Sequence, residues 1–417
     1  MCRSGGSVRD GSFEAVSLFT GAGGLDIGIE RAGFNVVAAN DSDKSACATL
    51  RANQVGNHRV AESSVRCHLD GTKIIERDLG KLSGQDFIPA GARESWRPDV
   101  LVGGPPCQTF SSAGSQRALA DPRGLLFHDF VRIADELRPK LILFENVRGL
   151  VTARGPSGAP GEAINLIRQA FESIGYATSF RLLNSADYGA PQRRVRLFMF
   201  GAAPDATLPQ FPEPTHGRNG GLVKPWVTLG EFLSGRPRPR ESEIVRPSPT
   251  LLSQLEILPD GSGLRSPGRP EPTRPGGHWG YKQGTFIADL ALPARTVTGA
   301  ATQDWVRCPA TGLRRITLRE AAAIQGFPND WVFYGSKSAQ FQQIGNAVPV
   351  IFGDVLGMAM REALRTPTHH KATSVPFPEH MRIAINYAAR DDARNGVARP
   401  RSPRYKSPRT PGLVALF

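Results

Sequence analysis

The first two hundred residues alternate short apolar runs with amphipathic stretches, the rhythm of a parallel sheet flanked by helices, and this predicts an α/β fold. Apolar runs at 15–19, 35–40, 99–103, 140–145, 177–183 and 195–200 predict strands. Between Gly161 and Ser173 the period lengthens, and Ile164, Ile167, Phe171 and Ile174 fall on one face of a helix. After Gly201 the texture breaks: residues 201–276 carry 14 of the 34 prolines, which interrupts helices and demotes apolar runs to loops or edge strands. A second, smaller unit is expected there. Regularity returns at Thr317, which with Glu320 makes a capping-box pattern, and again past Pro349, where Ile351, Val355, Met358 and Leu364 predict a helix.

A chain of 417 residues, 40% apolar, can bury two or three packed units. No stretch approaches the roughly 18 apolar residues of a membrane span, and the first thirty residues lack a charged segment followed by an apolar run. Neither membrane insertion nor export is expected. The five cysteines (Cys2, Cys47, Cys67, Cys107 and Cys308) are scattered and form no C-x-x-C pair, which argues against a metal site and for a reduced compartment. A net charge of +13 favours a polyanionic partner. Residues 366–417, with nine basic and three acidic side chains, read as a basic, flexible tail; the remaining body is basic in its own right.

Several segments concentrate candidate chemistry. In SLFTGAGGLDIGIERAGF (17–34) a strand feeds a Gly-rich turn and a helix, where glycines admit a ligand to the backbone and the helix N-terminus offers N–H groups. A plain tight turn explains that segment equally well. The next strand ends at Asn40 and Asp41, where a carboxylate can take the hydroxyls of a ribose or merely cap a helix. Asp78 is a further candidate, an exposed loop carboxylate being the alternative. In DVLVGGPPCQTFSSAG (99–114) a buried strand delivers Cys107 through a stiff turn to the carboxyl edge of the sheet. A thiol with an ordinary pKa of about 8.5 needs help to act as a nucleophile, and most cysteines are inert core residues. LILFENVRGL (141–150) brings Glu145 to the same edge, where desolvation favours its acid form, although a structural ion pair accounts for Glu145 alone. Arg194 and Arg196 fall on one face of the strand after NSADYGAPQ and can hold a phosphate and a base carbonyl, or remain solvated.

Taken in order, FTGAGGLD, GGPPCQTFS, ENV, QRRVR, QGFP and GNAVP resemble the DNA (cytosine-5) methyltransferase family, of the bacterial restriction-modification type. FPEPTHG (211–217) and LPARTVTG (292–299) resemble the borders of that family's variable target-recognition region. The resemblance implies a Rossmann-like S-adenosylmethionine-dependent sheet with a smaller, irregular target-recognition domain. The expected division is a leader (1–13), a catalytic domain (14–203), a target-recognition domain (204–338), a return to the catalytic domain (339–365) and the tail (366–417). Carried over residue by residue, it implies Phe19, Gly21, Gly23, Leu25, Asp41, Asp78, Pro106, Leu126 and Asn346 around S-adenosylmethionine, with S-adenosylhomocysteine as product and no metal. It further implies Cys107, Glu145, Arg194 and Arg196 as catalytic residues, both arginines contacting the flipped nucleotide. Gln108 and Ser111 would touch DNA from a loop hinged at Gly114 and Gly124. His278, Trp279, Tyr281 and Lys282 can reach a groove, or pack their rings in a core.

In the implied reaction Cys107 adds to carbon 6 of a flipped-out cytosine, Glu145 steadies ring nitrogen 3, and carbon 5 becomes nucleophilic enough to take the sulfonium methyl. The implied partner is double-stranded DNA, alongside a cognate restriction endonuclease that forms no stable complex. A monomer in the bacterial cytoplasm, associated with the nucleoid, is expected. Two alternatives stay open: a tRNA cytosine-5 methyltransferase, and a catalytically silent DNA-binding regulator.

Overall fold

The computed structural model describes residues 13–56, 58–60, 66–106, 125–264, 285–368 and 371–395. Seven strands form the main sheet: β1 (Phe13–Leu18), β2 (Phe34–Asp41), β3 (Lys73–Glu76), β4 (Val100–Gly103), β5 (Leu141–Val147), β6 (Ala177–Asn184) and β7 (Val195–Ala202). Their order is β3-β2-β1-β4-β5-β7-β6. The pairs from β3 to β5 are parallel, whereas β7 runs antiparallel to both β5 and β6. Six of these strands are those the apolar runs predict. β3 is the exception: a four-residue edge strand, KIIE, with exposed ends and therefore no alternation long enough to read.

Helices α1 (Gly24–Arg31), α2 (Lys44–Val55), α3 (Leu125–Leu137) and α4 (Glu162–Ser173) connect and cover the strands. The central residues of β1 (Ala15, Val16), β2 (Ala38, Ala39), β4 (Val100, Leu101, Val102) and β5 (Leu141, Ile142, Leu143, Phe144) are apolar and fully buried in succession, hence on both faces, as a covered parallel sheet requires. The proline-rich stretch contributes only short pieces: a two-strand ribbon of β8 (His216–Gly217) and β9 (Lys224–Pro225), and helices α5 (Leu229–Ser234) and α6 (Pro249–Glu256). A small sheet follows from β10 (Ser262–Gly263), β11 (Phe286–Ile287), β12 (Trp305–Cys308) and β13 (Gly312–Arg315). Thr317 does cap α7 (Leu318–Ile324), its hydroxyl taking the Glu320 N–H while the Glu320 carboxylate takes the Thr317 N–H.

The chain then returns through α8 (Lys337–Asn346) and α9 (Val350–Arg365). α9 packs on α1 through glycines. A Cβ on Gly28 would lie 2.2 Å from the Val350 carbonyl oxygen, and one on Gly353 would lie 2.3 Å from that of Leu25. The two backbones touch, so the Gly-rich start of the chain is held by its far end.

Residues 371–395 differ from the flexible tail that their charge suggests. Val375 donates its N–H to the Thr178 carbonyl on edge strand β6, and Phe377 packs 5.2 Å from Phe180 with Arg168 stacked over it. Helix α10 (Glu379–Asn395) follows, with Met381 fully buried and Ile385 against Gly161. The strap covers what is otherwise an open sheet edge. Cys47 is buried and Cys308 half-buried, both as free thiols. Among the described residues no helix is long and apolar enough to cross a membrane, and no group of three His, Cys, Asp or Glu side chains is placed to hold a metal.

Candidate active site

Strand order reverses between β1 and β4, and at such a switch point the carboxyl ends of neighbouring strands splay into a crevice. A cavity of about 750 Å3 opens there, within the range of small-molecule sites. Phe19, Gly21, Leu25, Asp41, Asp78, Pro106, Leu126 and Asn346 line it, together with Glu145, Arg194 and Arg196. Gly23 does not. It caps α1 in the left-handed region (φ 86°), and a Cβ there would meet Leu50 at 3.1 Å, so its role is to let the turn close. Cys107, Gln108, Ser111, Gly114, Gly124, His278, Trp279, Tyr281 and Lys282 lie outside the described residues.

One end of the cavity is built for a polar, partly anionic molecule. α1 begins at a glycine, without a side-chain cap, and therefore presents its first N–H groups and the positive end of its dipole. A Cβ on Gly21 would meet nothing within 4 Å, so the turn is open on that side. Asp41 ends β2 with one carboxylate oxygen on the Gly21 N–H (2.8 Å) and the other on the Asp43 N–H (2.8 Å). Burial pushes this carboxyl above its ordinary value, while those backbone donors pull it back. Asn40 holds the strand end by donating to the Ile75 and Arg77 carbonyls. Asp78 is exposed and accepts the Gly80 N–H at 3.0 Å.

The other end holds Glu145 and Arg196. Because β7 is antiparallel to β5, its first residues lie beside the last ones of β5, with Val147 opposite Arg196. Arg196 Nε lies 3.1 Å from Glu145 Oε1. Burial pushes the Glu145 carboxyl upward, and Arg196, then Arg194, draw it down. The β4 turn is fitted closely to this pair: a Cβ on Gly104 would lie 2.5 Å from Glu145 Oε2, and Asn146 donates to the Pro105 carbonyl at 3.3 Å. Pro106, on the cavity wall, immediately precedes Cys107.

Arg194 is differently employed. It is buried and donates to the carbonyls of Val297 (2.9 Å), Gly345 (2.7 Å) and Ala347 (3.1 Å). Gln192 joins the same seam, donating to Gln325 Oε1 at 2.8 Å and accepting the Val297 N–H at 2.9 Å. Gln325 in turn donates to the Ile344 carbonyl at 2.6 Å. QRRVR, TVTG, QGFP and GNAVP are thus stitched by buried amide and guanidinium groups, and Thr296–Gly299 becomes part of the cavity wall. Sequence reasoning marks Arg194 for the nucleotide and assigns no site role to Gln192, Gln325 or Thr296; nothing local signals carbonyl partners a hundred residues away.

Residues 13–221 and 270–361 match the C-5 cytosine-specific DNA methylase family. The chain belongs to that family. It is a DNA cytosine-5 methyltransferase, of a class that depends on S-adenosylmethionine. It is 30% identical over 372 residues to the type II methyltransferase M.FnuDI of Fusobacterium nucleatum, covering 84% of this chain and 94% of that one. With M.XorII of Xanthomonas oryzae it shares 33% over 404 residues, covering 89% and 90%. A putative DNA modification methyltransferase from an E. coli prophage superposes with a TM-score of 0.60 at 22% identity, covering 85% of this chain and all of that one, a likeness of fold.

Proposed function

We propose that the methyltransferase acts on a cytosine extruded from duplex DNA, with Cys107 as nucleophile, Glu145 as the acid at ring nitrogen 3 and Arg196 on the neighbouring carbonyl. The observation that carries this reading is the Glu145–Arg196 pair at the end of the cavity where the Pro105–Pro106 turn leads into Cys107. The Cys107 thiolate adds to carbon 6, and the electron pair released into the ring is stabilised at nitrogen 3 by the Glu145 proton. Burial raises the Glu145 carboxyl and so favours the acid form that donates this proton, while Arg196 opposes the rise and keeps the proton transferable. S-adenosylmethionine, when bound, supplies the methyl electrophile that carbon 5 takes. Loss of the carbon 5 proton to solvent and departure of Cys107 restore the aromatic ring.

The residues present suit that cosubstrate: Asp41 for its ribose hydroxyls, the uncapped α1 N-terminus for its carboxylate, Phe19, Leu25, Pro106 and Leu126 for apolar contact, and Asp78 and Asn346 at the rim. Arg194 positions the seam that carries Asn346. Gln108 and Ser111 meet the DNA. Likeness to type II methyltransferases supports sequence-specific action in a restriction-modification system.

The test is methyl transfer from labelled S-adenosylmethionine, offered duplex DNA and tRNA side by side. Label is expected in DNA at carbon 5 of cytosine, abolished by Cys107→Ser with cofactor binding retained, and 5-fluorocytosine in the site is expected to trap a covalent adduct. Label in tRNA alone, or a fully active Cys107→Ser enzyme, overturns the reading.

A further inference from the structure

Beneath the Gly-rich turn lies a carboxyl group that the reaction above leaves unused. Asp26 sits in the first turn of α1 and is fully buried. It accepts a hydrogen bond from Ser17 Oγ at 2.6 Å and another from Thr20 Oγ1. Between these two donors stands Phe19, whose φ of 54° lies in the left-handed region. A bulky side chain keeps that conformation only where its surroundings enforce it. Thr20 is fixed further, donating its N–H to the Asn40 carbonyl at 3.0 Å and accepting that of Gly23 at 3.0 Å. One carboxylate therefore ties the residue two before Phe19 to the residue after it, and both to the start of α1.

We infer that Asp26 is a positioning residue for S-adenosylmethionine: by clamping Ser17 and Thr20 it holds Phe19 left-handed on the cavity wall and keeps the Gly21 turn open. The inference rests on the cofactor reading of the cavity given above. Burial pushes the Asp26 carboxyl up to about 6; the Ser17 and Thr20 hydroxyls oppose this, while Glu30 on the same helix and Asp41 across the turn add to it. A group with a raised value makes the fold less stable in its charged form, because the proton is held more tightly in the folded chain than in the unfolded one. The carboxylate nevertheless is the form that accepts both hydroxyl protons at once. Once protonated, it has one acceptor fewer and must itself donate. Cofactor affinity and fold stability are thus set in opposition: lowering the pH through about 6 relieves the buried charge and slackens the clamp.

The experiment is calorimetric binding of S-adenosylhomocysteine to the full chain at pH 7.5 and 5.5, with thermal unfolding beside it, for the wild type, Asp26→Asn and Ser17→Ala. Asp26→Asn is expected to bind at least fivefold more weakly at pH 7.5 with a Tm no lower than wild type, and Ser17→Ala to fall between. Asp41 titrates in every variant, so the wild type is expected to lose affinity on acidification in excess of the loss seen in Asp26→Asn. Wild-type affinity and an unchanged pH profile in both variants overturn the inference. So does weakened binding that comes only with a lowered Tm and no excess pH dependence, which assigns Asp26 to the fold alone. A wild type that fails to bind S-adenosylhomocysteine overturns the cofactor reading itself, and this inference with it.

Discussion

Glu145 shows how much one side chain depends on its neighbours. Burial raises its carboxyl and Arg196 restrains the rise, so the acid form serves the reaction below that raised value and is lost above it. Glu145→Gln is expected to slow single-turnover methyl transfer on the order of 10²- to 10⁴-fold, the usual weight of a general acid. Arg196→Ala removes the cation that favours the carboxylate, so the alkaline limb of the rate profile is expected to move to higher pH; a limb that stays in place separates Arg196 from Glu145. Gly104→Ala drives a methyl group against Glu145 Oε2 and is expected to cost transfer at least about tenfold while S-adenosylhomocysteine still binds. Glu145 and Arg196 are legible in sequence because they fall near the last residues of β5 and the first of β7, at one edge of the sheet, and Cys107 because GGPPC follows an apolar run. Asp26 is not, since an acidic residue in a helix first turn reads as surface charge until the hydroxyls of Ser17 and Thr20 are seen to face it. Arg194 likewise declares its cation but not the three carbonyls that occupy it.

At the scale of elements, periodicity finds what is long and apolar and misses what is short or charged. The buried strands and α4 are visible because their patterns run several residues; β3 has four residues, two of them charged and exposed at its ends. In 371–395 the frequent basic residues mask Met381 and Ile385, one turn apart and facing the core. The contact between α1 and α9 is also invisible locally, since Gly28 and Gly353 each look like ordinary helix-weakening glycines. Their spacing matters only where two backbones meet. Gly28→Ala is expected to destabilise the fold by about 1–3 kcal/mol or more, the range for overpacking a filled interior, measured by urea unfolding. A change of less than about 0.5 kcal/mol would mean that the two helices separate easily.

Across the whole molecule the positive charge has two carriers, which truncation can divide. Ending the chain at residue 370 removes the buried Met381 and uncovers the β6 edge, so a stability loss of at least about 2 kcal/mol is expected, with specific methyl transfer retained in the folded fraction. Ending it at residue 395 spares that strap and deletes only a segment with five basic and no acidic side chains. If those residues grip phosphates, the slope of log binding against log salt falls by about 0.9 for each phosphate released; an unchanged slope leaves DNA binding to the body alone. The seam between α1 and the returning chain carries a further consequence. Arg361 reaches the Ala32 carbonyl across 329 residues of sequence, and the glycine contacts beside it span a similar distance. During translation the opening strand and its helix therefore emerge long before the segment that seals them has been synthesised. The nascent amino-terminal half must wait on the ribosome with an apolar face uncovered, and a premature stop anywhere before the last helix pair would leave a product fit for chaperones and proteases rather than for DNA.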